Sequence, residues 1–177
     1  MFEKASFTLE RRIGLGKTVA PKTIAAVERA VLGRGEWPLP TPAQGDPMPL
    51  PENLLDLLHK PSPCFVSTIM ADGSPQVTET WVDTDGEHVV INTVVGFVKV
   101  RNVERDPRVA LAIQDPDNPF RYIQVRGEVI SITTDGATKN IEALSLKYTG
   151  GPYPWYGGRD QQRVILTIKA NSISGQG

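Results

Sequence analysis

The sequence is poor in the residues that build disulfides, metal sites and nucleophilic centres. Its 177 residues include one cysteine, Cys64, and two histidines, His59 and His88. One cysteine forms no internal disulfide, which fits a reducing cytoplasm, and so few soft ligands argue against a zinc site. Cys64 lies in an apolar run, where a buried thiol is a more common role than a nucleophile. We therefore expect no metal centre, and the sequence alone identifies no catalytic residue.

Long apolar runs and an excess of positive charge are also missing. No stretch is long enough to span a bilayer, and the N-terminus carries Glu3 and Glu10 without the apolar segment of a signal peptide. The net charge of -1 and the pI of about 6.1 argue against a general nucleic-acid binder. We expect a cytoplasmic protein whose partner is a small molecule, with neither a membrane nor a nucleic acid as its target.

Proline, in contrast, is abundant and concentrated near the N-terminus. Residues 20–35 predict a helix, and six prolines between positions 38 and 51 predict an extended, semi-rigid linker after it. Residues 1–50 are therefore predicted to form an N-terminal arm, and residues 51–177 a separate domain.

The pattern of residues 51–177 predicts strands joined by turns, with short helices inserted between them. Alternating or continuous apolar runs separated by turn sequences such as "ADGSP" and "TDGE" give six strands of antiparallel type. Short helices are expected near residues 51–61, 97–107 and 135–150. No βαβ repeat occurs. The fold class is predicted as mainly β, a small closed or split barrel, because closure removes exposed strand edges.

The segment "GLGKT", residues 14–18, ends like a phosphate-binding P-loop but does not complete one. The first glycine of that motif falls at position 11, which is Arg11, and no apolar strand precedes it. A nucleotide loop is therefore not predicted here.

A second basic segment, "GFVKVRNVERDPR" at 96–108, is a better candidate for anion binding. Residues 41–98 hold eight acids and one lysine, and four cations then follow: Lys99, Arg101, Arg105 and Arg108. Gly96 permits a tight turn, and Lys99 stands at the start of the predicted helix, whose free N–H groups suit a phosphate. The alternative is a solvated helical face paired with neighbouring acids. The residues themselves leave both interpretations open.

Three motifs carry a resemblance over roughly residues 51–175. They are "DGSPQV" at 72–77, "K.RN..RDPRV" at 99–109 and "NP.RY..V.GEV" at 118–129, with "KYTG" and "RVILTI" further on. The sequence resembles the pyridoxamine 5'-phosphate oxidase-like split barrels, and among them most closely the flavin/deazaflavin-dependent oxidoreductases of class B. This resemblance implies a six-stranded antiparallel split β-barrel of FMN-binding type and a homodimer with cofactor sites at its interface.

The resemblance also implies a cofactor, which in such proteins is coenzyme F420, FMN or, in some branches, heme. Carried over by position, the contacts are phosphate binding at Thr93 and Lys99, a ring-facing strand at Gln76, Val77 and Thr78, and further candidates at Asn92 and Arg101. Deazaflavin-binding relatives often carry arginine two residues before the lysine, where this chain has Phe97, and Arg101 or a residue of the arm is a candidate to compensate.

These implications lead to one preferred function and two alternatives. The preferred one is an F420-dependent oxidoreductase that transfers a hydride between reduced deazaflavin and a small unsaturated or quinone-like substrate. The first alternative is an FMN-binding relative of pyridoxamine-phosphate oxidase, since FMN needs fewer cations. The second is a non-catalytic flavin or heme binder, for which His59 and His88 are the available heme ligands.

The loop at 150–160 carries three aromatic residues between glycines: Tyr153, Trp155 and Tyr156. Such a loop either covers a planar ring or simply packs at a surface or subunit interface. Packing is the more common role, and Trp81 is likewise expected to be a packing residue.

Overall fold

The computed structural model describes residues 48–176. The helices are α1 (Glu52–His59), α2 (Val98–Arg105) and α3 (Ala137–Thr149); the strands are β1 (Cys64–Ile69), β2 (Pro75–Thr80), β3 (Val82–Thr84), β4 (Val89–Val94), β5 (Arg108–Gln114), β6 (Tyr122–Thr133) and β7 (Arg163–Gln176). The predicted arm at 1–50 lies outside the described residues, except for residues 48–50. No helix between residues 48 and 176 is long and apolar enough to cross a membrane.

The strands form one antiparallel sheet in the order β2-β1-β5-β6-β7-β4-β3. β2 and β3 occupy opposite edges of this sheet, yet only Trp81 separates them along the chain. The sheet must therefore curl until its two edges come close together. This topology confirms the predicted mainly β fold and its barrel-like closure.

The structure corrects one prediction, because the run "PQVTETWVD" at 75–83 is not a single strand. It breaks at Trp81, so the described sheet has seven strands instead of six. Helix α3 holds the break in place. The Val82 amide donates a 3.0 Å hydrogen bond to the Tyr148 hydroxyl, and the Trp81 ring stacks on the Tyr148 ring at 5.1 Å. Alternation along the chain does not reveal such a bend, because side chains of another element produce it.

The core fills the inside of the curled sheet. Alternate residues of β1, β5, β6 and β7 are buried there, and three leucines of α1 join the same cluster: Leu54, Leu57 and Leu58. β4 is buried at all six positions because its inner face meets this core while α3 packs against its outer face. β4 therefore has no solvated face, and the polar residues Asn92 and Thr93 on it are buried.

The predicted helix boundaries are confirmed closely. α1 begins directly after Pro51 and α2 ends before Pro107, which disfavours a helical residue in front of it. α3 ends at Gly150, whose φ of 73° is left-handed and suits glycine. These stops come from local backbone chemistry, so the sequence is enough to place them.

Candidate anion and cofactor site

The turn between β4 and α2 leaves main-chain donors available at the helix start. Gly96 has a φ of 81°, which lets the chain reverse sharply, and no side chain caps the helix at Phe97. The first N–H groups of a helix have no partner within the helix. Within residues 48–176, two of them, at Val98 and Lys99, have no acceptor and are therefore available to water or a ligand.

Lys99 follows this turn with a half-buried side chain. Burial lowers the pKa of its ammonium group, and repulsion from Arg163 lowers that pKa further. Within residues 48–176, no carboxylate lies in ion-pair distance of either cation. A partly desolvated charge without a counter-ion is unfavourable. A bound anion would supply the missing counter-charge, which makes this pair a candidate anion site.

Arg163 is the second cation of this site, and its neighbours hold it in place. Its Nε donates a 2.8 Å hydrogen bond to Asn92 Oδ1, and its guanidinium lies 5.3 Å from the centre of the Tyr153 ring. Asn92 is fixed in turn, since its Nδ2 donates to the carbonyl of Ala137 at 2.7 Å and to Asn140 Oδ1 at 3.0 Å. Asn92 therefore orients Arg163, and α3 orients Asn92.

A surface cleft of about 410 Å³ adjoins Arg163. This volume lies within the usual range for small-molecule sites, roughly 300–1,000 Å³. Its walls come from the β2–β3 bend, β4, α3, the start of β7 and the aromatic loop: Glu79, Thr80, Trp81, Asn92, Ile141, Tyr153, Tyr156 and Arg163. The cleft thus combines aromatic faces with one cation, a combination that suits a planar anionic ligand.

The aromatic loop is packed on the protein and also lines the cleft. Tyr153 makes edge contacts with Trp81, Trp155 and Tyr156, with ring centres 5.4–6.1 Å apart. Tyr156 is nevertheless 78% exposed. The packing role expected from the sequence is therefore present, and three aromatics, Trp81 among them, face the cleft as well.

Glu142 of α3 anchors this loop. Its Oε2 accepts a 2.9 Å hydrogen bond from the Tyr153 amide, and its Oε1 accepts a 3.1 Å hydrogen bond from the Trp155 indole. Trp155 has a φ of 52°, an unusual conformation for a bulky residue. The two carboxylate bonds help hold this strained conformation.

We expect Glu142→Ala to loosen the loop while the barrel stays folded. Two hydrogen bonds to a charged acceptor are lost, and such bonds contribute about 1.5–3 kcal/mol each in favourable cases. Amide hydrogen exchange at Tyr153 should accelerate at least about tenfold, and tryptophan fluorescence should change. Glu79→Ala is the matched control, because it removes a carboxylate that lines the cleft but breaks no bond to the loop. Unchanged exchange at Tyr153 would contradict this role of Glu142.

The residues predicted on β2 are divided between the two faces of the strand. Gln76 pairs with Thr68 and Thr78 pairs with Val66, so both lie on the inner face, whereas Val77 is 61% exposed outside. One planar ring cannot meet all three side chains from a single side. β2 is an edge strand, however, so part of its main chain is open to a ligand.

The remaining predicted residues lie at or near the basic turn. Thr93 is buried on the inner face of β4, and Asn92, on the outer face, binds Arg163. Arg101 is exposed and donates a 2.9 Å hydrogen bond to the Gly96 carbonyl, so it helps to hold the turn. Of the seven predicted residues, Asn92 alone lines the cleft, while Lys99 is linked to it through Arg163.

Arg163 and Glu142 were not identified from the sequence. Arg163 opens β7 and reaches the site only because Val94, at the end of β4, pairs with it across the sheet. Glu142 lies on a helix with no motif around it. The pairing of β4 with β7 would have indicated Arg163, but this pairing joins strands about 70 residues apart in the chain.

The described cysteine and histidines do not form a reactive or metal site. Cys64 is fully buried, and burial raises the pKa of its thiol to about 12, so it does not form a thiolate at neutral pH. His88 is bonded to Asp85 at 3.0 Å, and His59 is exposed at the end of α1. Residues 48–176 contain no cluster of three or more potential metal ligands. The prediction that Cys64 is a buried hydrophobic residue is confirmed.

The fold and site define a small antiparallel barrel with a basic helix start beside an aromatic cleft. The family model for pyridoxamine 5'-phosphate oxidase matches residues 50–177. The chain belongs to this family, whose fold binds flavins, as the sequence motifs predicted. A comparison with curated proteins gave no match.

Solved structures support this assignment. An F420 reductase is 34% identical, with a TM-score of 0.63 over 71% of this chain and 98% of that one. A conserved hypothetical protein from Mycobacterium tuberculosis is 23% identical, with a TM-score of 0.57 over 75% and 88% of the two chains. General Stress Protein 26 from Bacillus anthracis is 20% identical, with a TM-score of 0.55 over 71% and 92%. The last two show the fold alone.

Proposed function

We propose that this protein is an F420-dependent oxidoreductase that transfers a hydride between the reduced deazaflavin and a small unsaturated or quinone-like substrate. The observation that carries the proposal is the pair Lys99 and Arg163, two partly buried cations without a carboxylate partner in the described residues, beside an aromatic cleft. The 34% identity to an F420 reductase supports the choice of cofactor.

The donors present fit the phosphate of such a cofactor. Lys99 would bind it as a point charge, the N–H groups at the start of α2 would donate to its oxygens, and Arg163 would supply a second cation. Arg163 takes the place of the cation that Phe97 does not provide. The helix start, the lysine and the arginine thus form one positively polarised region.

The aromatic cleft would hold the planar substrate next to the cofactor ring. Trp81, Tyr153 and Tyr156 offer apolar faces, and Glu142 anchors the loop that carries the two tyrosines. A bound deazaflavin supplies the two-electron hydride chemistry, so the protein needs no nucleophile of its own. The side chains of the cleft bind, orient and exclude water.

A homodimer is part of the proposal, and one exposed face of the sheet within residues 48–176 supports it. The outer side of β1, β2 and β5 carries Phe65, 40% exposed, with the small residue Ala112 in register beside it, and Val77, 61% exposed. Exposed apolar patches on a sheet mark interaction surfaces. A second copy on this face would lie close to β2, the strand that carries the predicted ring contacts.

FMN binding is the second candidate, and Phe97 is the observation that favours it. Phe97 is exposed at the helix start and brings no charge to the phosphate region. FMN has a single phosphate, whereas F420 has a longer anionic tail and benefits from more cations. A non-catalytic binder of either cofactor remains the third outcome.

Parallel titration with F420 and FMN tests the proposal. We expect quenching of tryptophan fluorescence, with tighter binding of F420 than of FMN, followed by oxidation of reduced F420 in the presence of a quinone. Preference for FMN would move the protein to the second candidate. Tight binding without turnover on any acceptor would identify a carrier, and failure to bind either cofactor would refute the proposal.

A further inference from the structure

A buried polar cluster joins α2 to the inner face of β1 and β2. Asn102, one turn after Lys99, is only 3% exposed, and Thr68 on β1 is 1% exposed. The Asn102 Nδ2 lies 2.9 Å from Thr68 Oγ1 and 3.1 Å from Gln76 Oε1, and Thr68 Oγ1 lies 3.2 Å from the same Gln76 oxygen. Gln76 thus meets both residues through one end of its amide.

Arg105 determines the orientation of this whole cluster. Its Nη2 donates to Asn102 Oδ1 at 3.2 Å and to the Ile69 carbonyl at 2.5 Å. A guanidinium only donates, so the Asn102 atom that faces it is the oxygen. The Asn102 amino group must therefore face Thr68 and Gln76. Amide orientations are assigned from such networks, and here the guanidinium of Arg105, which can only donate, determines the orientation of Asn102.

The consequence reaches Gln76. Because the Asn102 amino group donates toward it, the Gln76 atom inside the cluster is the oxygen, which also accepts the Thr68 hydroxyl hydrogen. The Gln76 amino group is then turned away from the cluster, and within residues 48–176 its Nε2 has no hydrogen-bond partner. Gln76 is half-buried on an edge strand. It offers N–H donors and no acceptor to whatever lies beside β2.

We propose that Asn102 is a positioning residue that makes Gln76 a donor for an acceptor oxygen of the bound cofactor. This inference rests on the proposed function, since a flavin or deazaflavin ring carries carbonyl oxygens of that kind. The same helix then serves both parts of the cofactor, with Lys99 at its start for the phosphate and Asn102 one turn later acting through Gln76 on the ring. A side chain at position 76 that carries only acceptors would repel the ring's carbonyl oxygens and weaken cofactor binding.

A double-mutant cycle with F420 tests this inference. We expect Asn102→Ala and Gln76→Ala each to raise the dissociation constant about tenfold, the effect of one lost hydrogen bond to a desolvated acceptor. The double variant should bind no more weakly than Gln76→Ala, because Asn102 acts through Gln76. An additive loss of about a hundredfold would overturn the inference, as would unchanged affinity in a folded Asn102→Ala protein.

Two further variants keep the result interpretable. Thr68→Val removes one donor to Gln76 at constant size, and we expect affinity for F420 to fall about threefold. This variant tests the inference even if Asn102→Ala does not fold. Unchanged binding in Thr68→Val would count against the inference. Asn171→Ala, an exposed site on β7, is the control and should bind like the wild type. Wild-type protein that binds neither F420 nor FMN would instead refute the proposed function.

The orientation of Gln76 can also be measured in the ligand-free protein, by NMR of its side-chain amide. The amide resonances are assigned by their disappearance in Gln76→Ala. In the wild type the amino hydrogens of Gln76 should exchange with water as fast as those of a solvent-exposed amide. Their resonances should shift when F420 is added. In Asn102→Ala the amide is free to reverse, and its resonances should move before any ligand is added. Identical Gln76 resonances in the two ligand-free proteins would contradict the positioning role.

Discussion

Lys99→Ala is expected to weaken cofactor binding by about 10- to 100-fold, the effect of losing one charge-assisted hydrogen bond. The ligand-free protein should not become less stable. Burial and Arg163 lower the pKa of Lys99 in the folded state, so the charged form is disfavoured by folding. A base whose pKa is lowered by folding reduces stability at every pH below its unfolded value, and replacing it removes that cost.

The effect on affinity is thus separated from the effect on stability. Isothermal titration with F420 and FMN measures the first, and thermal unfolding without ligand measures the second. Lys139→Ala is the matched control, because Lys139 is an exposed lysine on a different helix, α3. Unchanged affinity in Lys99→Ala, or equal losses in both variants, would show that the lysine does not bind the cofactor.

Gly127→Ala is expected to destabilise the barrel by roughly 1–3 kcal/mol, the typical cost of forcing an extra group into a packed interior. Gly127 lies on β6 where the register with β7 shifts. A Cβ placed there would overlap the main-chain carbonyl of Lys169, far inside van der Waals contact. Main chain cannot move aside as a flexible side chain does, so the β6–β7 pairing must separate locally.

Chemical denaturation of Gly127→Ala and of a matched control measures this cost. Gly151→Ala is that control, since a Cβ there meets only the Thr149 hydroxyl at an ordinary 3.9 Å. We expect a lower midpoint for Gly127→Ala and a change below about 1 kcal/mol for Gly151→Ala. Equal midpoints would mean that the β6–β7 pairing relaxes without cost.

The physical logic of the site follows from what surrounds its two cations. Elsewhere in the described part of the chain, Arg121 is paired with Asp56 and Asp115, and Arg108 is paired with Asp106. Within residues 48–176, Lys99 and Arg163 have no such partner, although each is partly withdrawn from water. Burying like charges together is unfavourable unless a ligand compensates. This contrast with the paired cations is why we propose this location for the phosphate.

Much of the molecule follows from short-range features of the sequence. Alternation and turn residues predicted the strands of an antiparallel barrel, Pro107 and Gly150 predicted helix ends, and the "K.RN..RDPRV" motif indicated both the family and the basic turn. Local chemistry is sufficient for these features, because backbone preferences and hydrophobic periodicity act within a few residues.

Only the tertiary structure determined which distant residues share the site. The break at Trp81 depends on Tyr148, and Arg163 meets Lys99 because β4 pairs with β7. The orientation of Gln76 depends in the same way on Arg105, which acts through Asn102. Pairings of this kind arise when the sheet curls and buries its inner face, a global event that no local pattern records. The sequence by itself thus determined the elements and the family, and folding determined the arrangement of charges and donors.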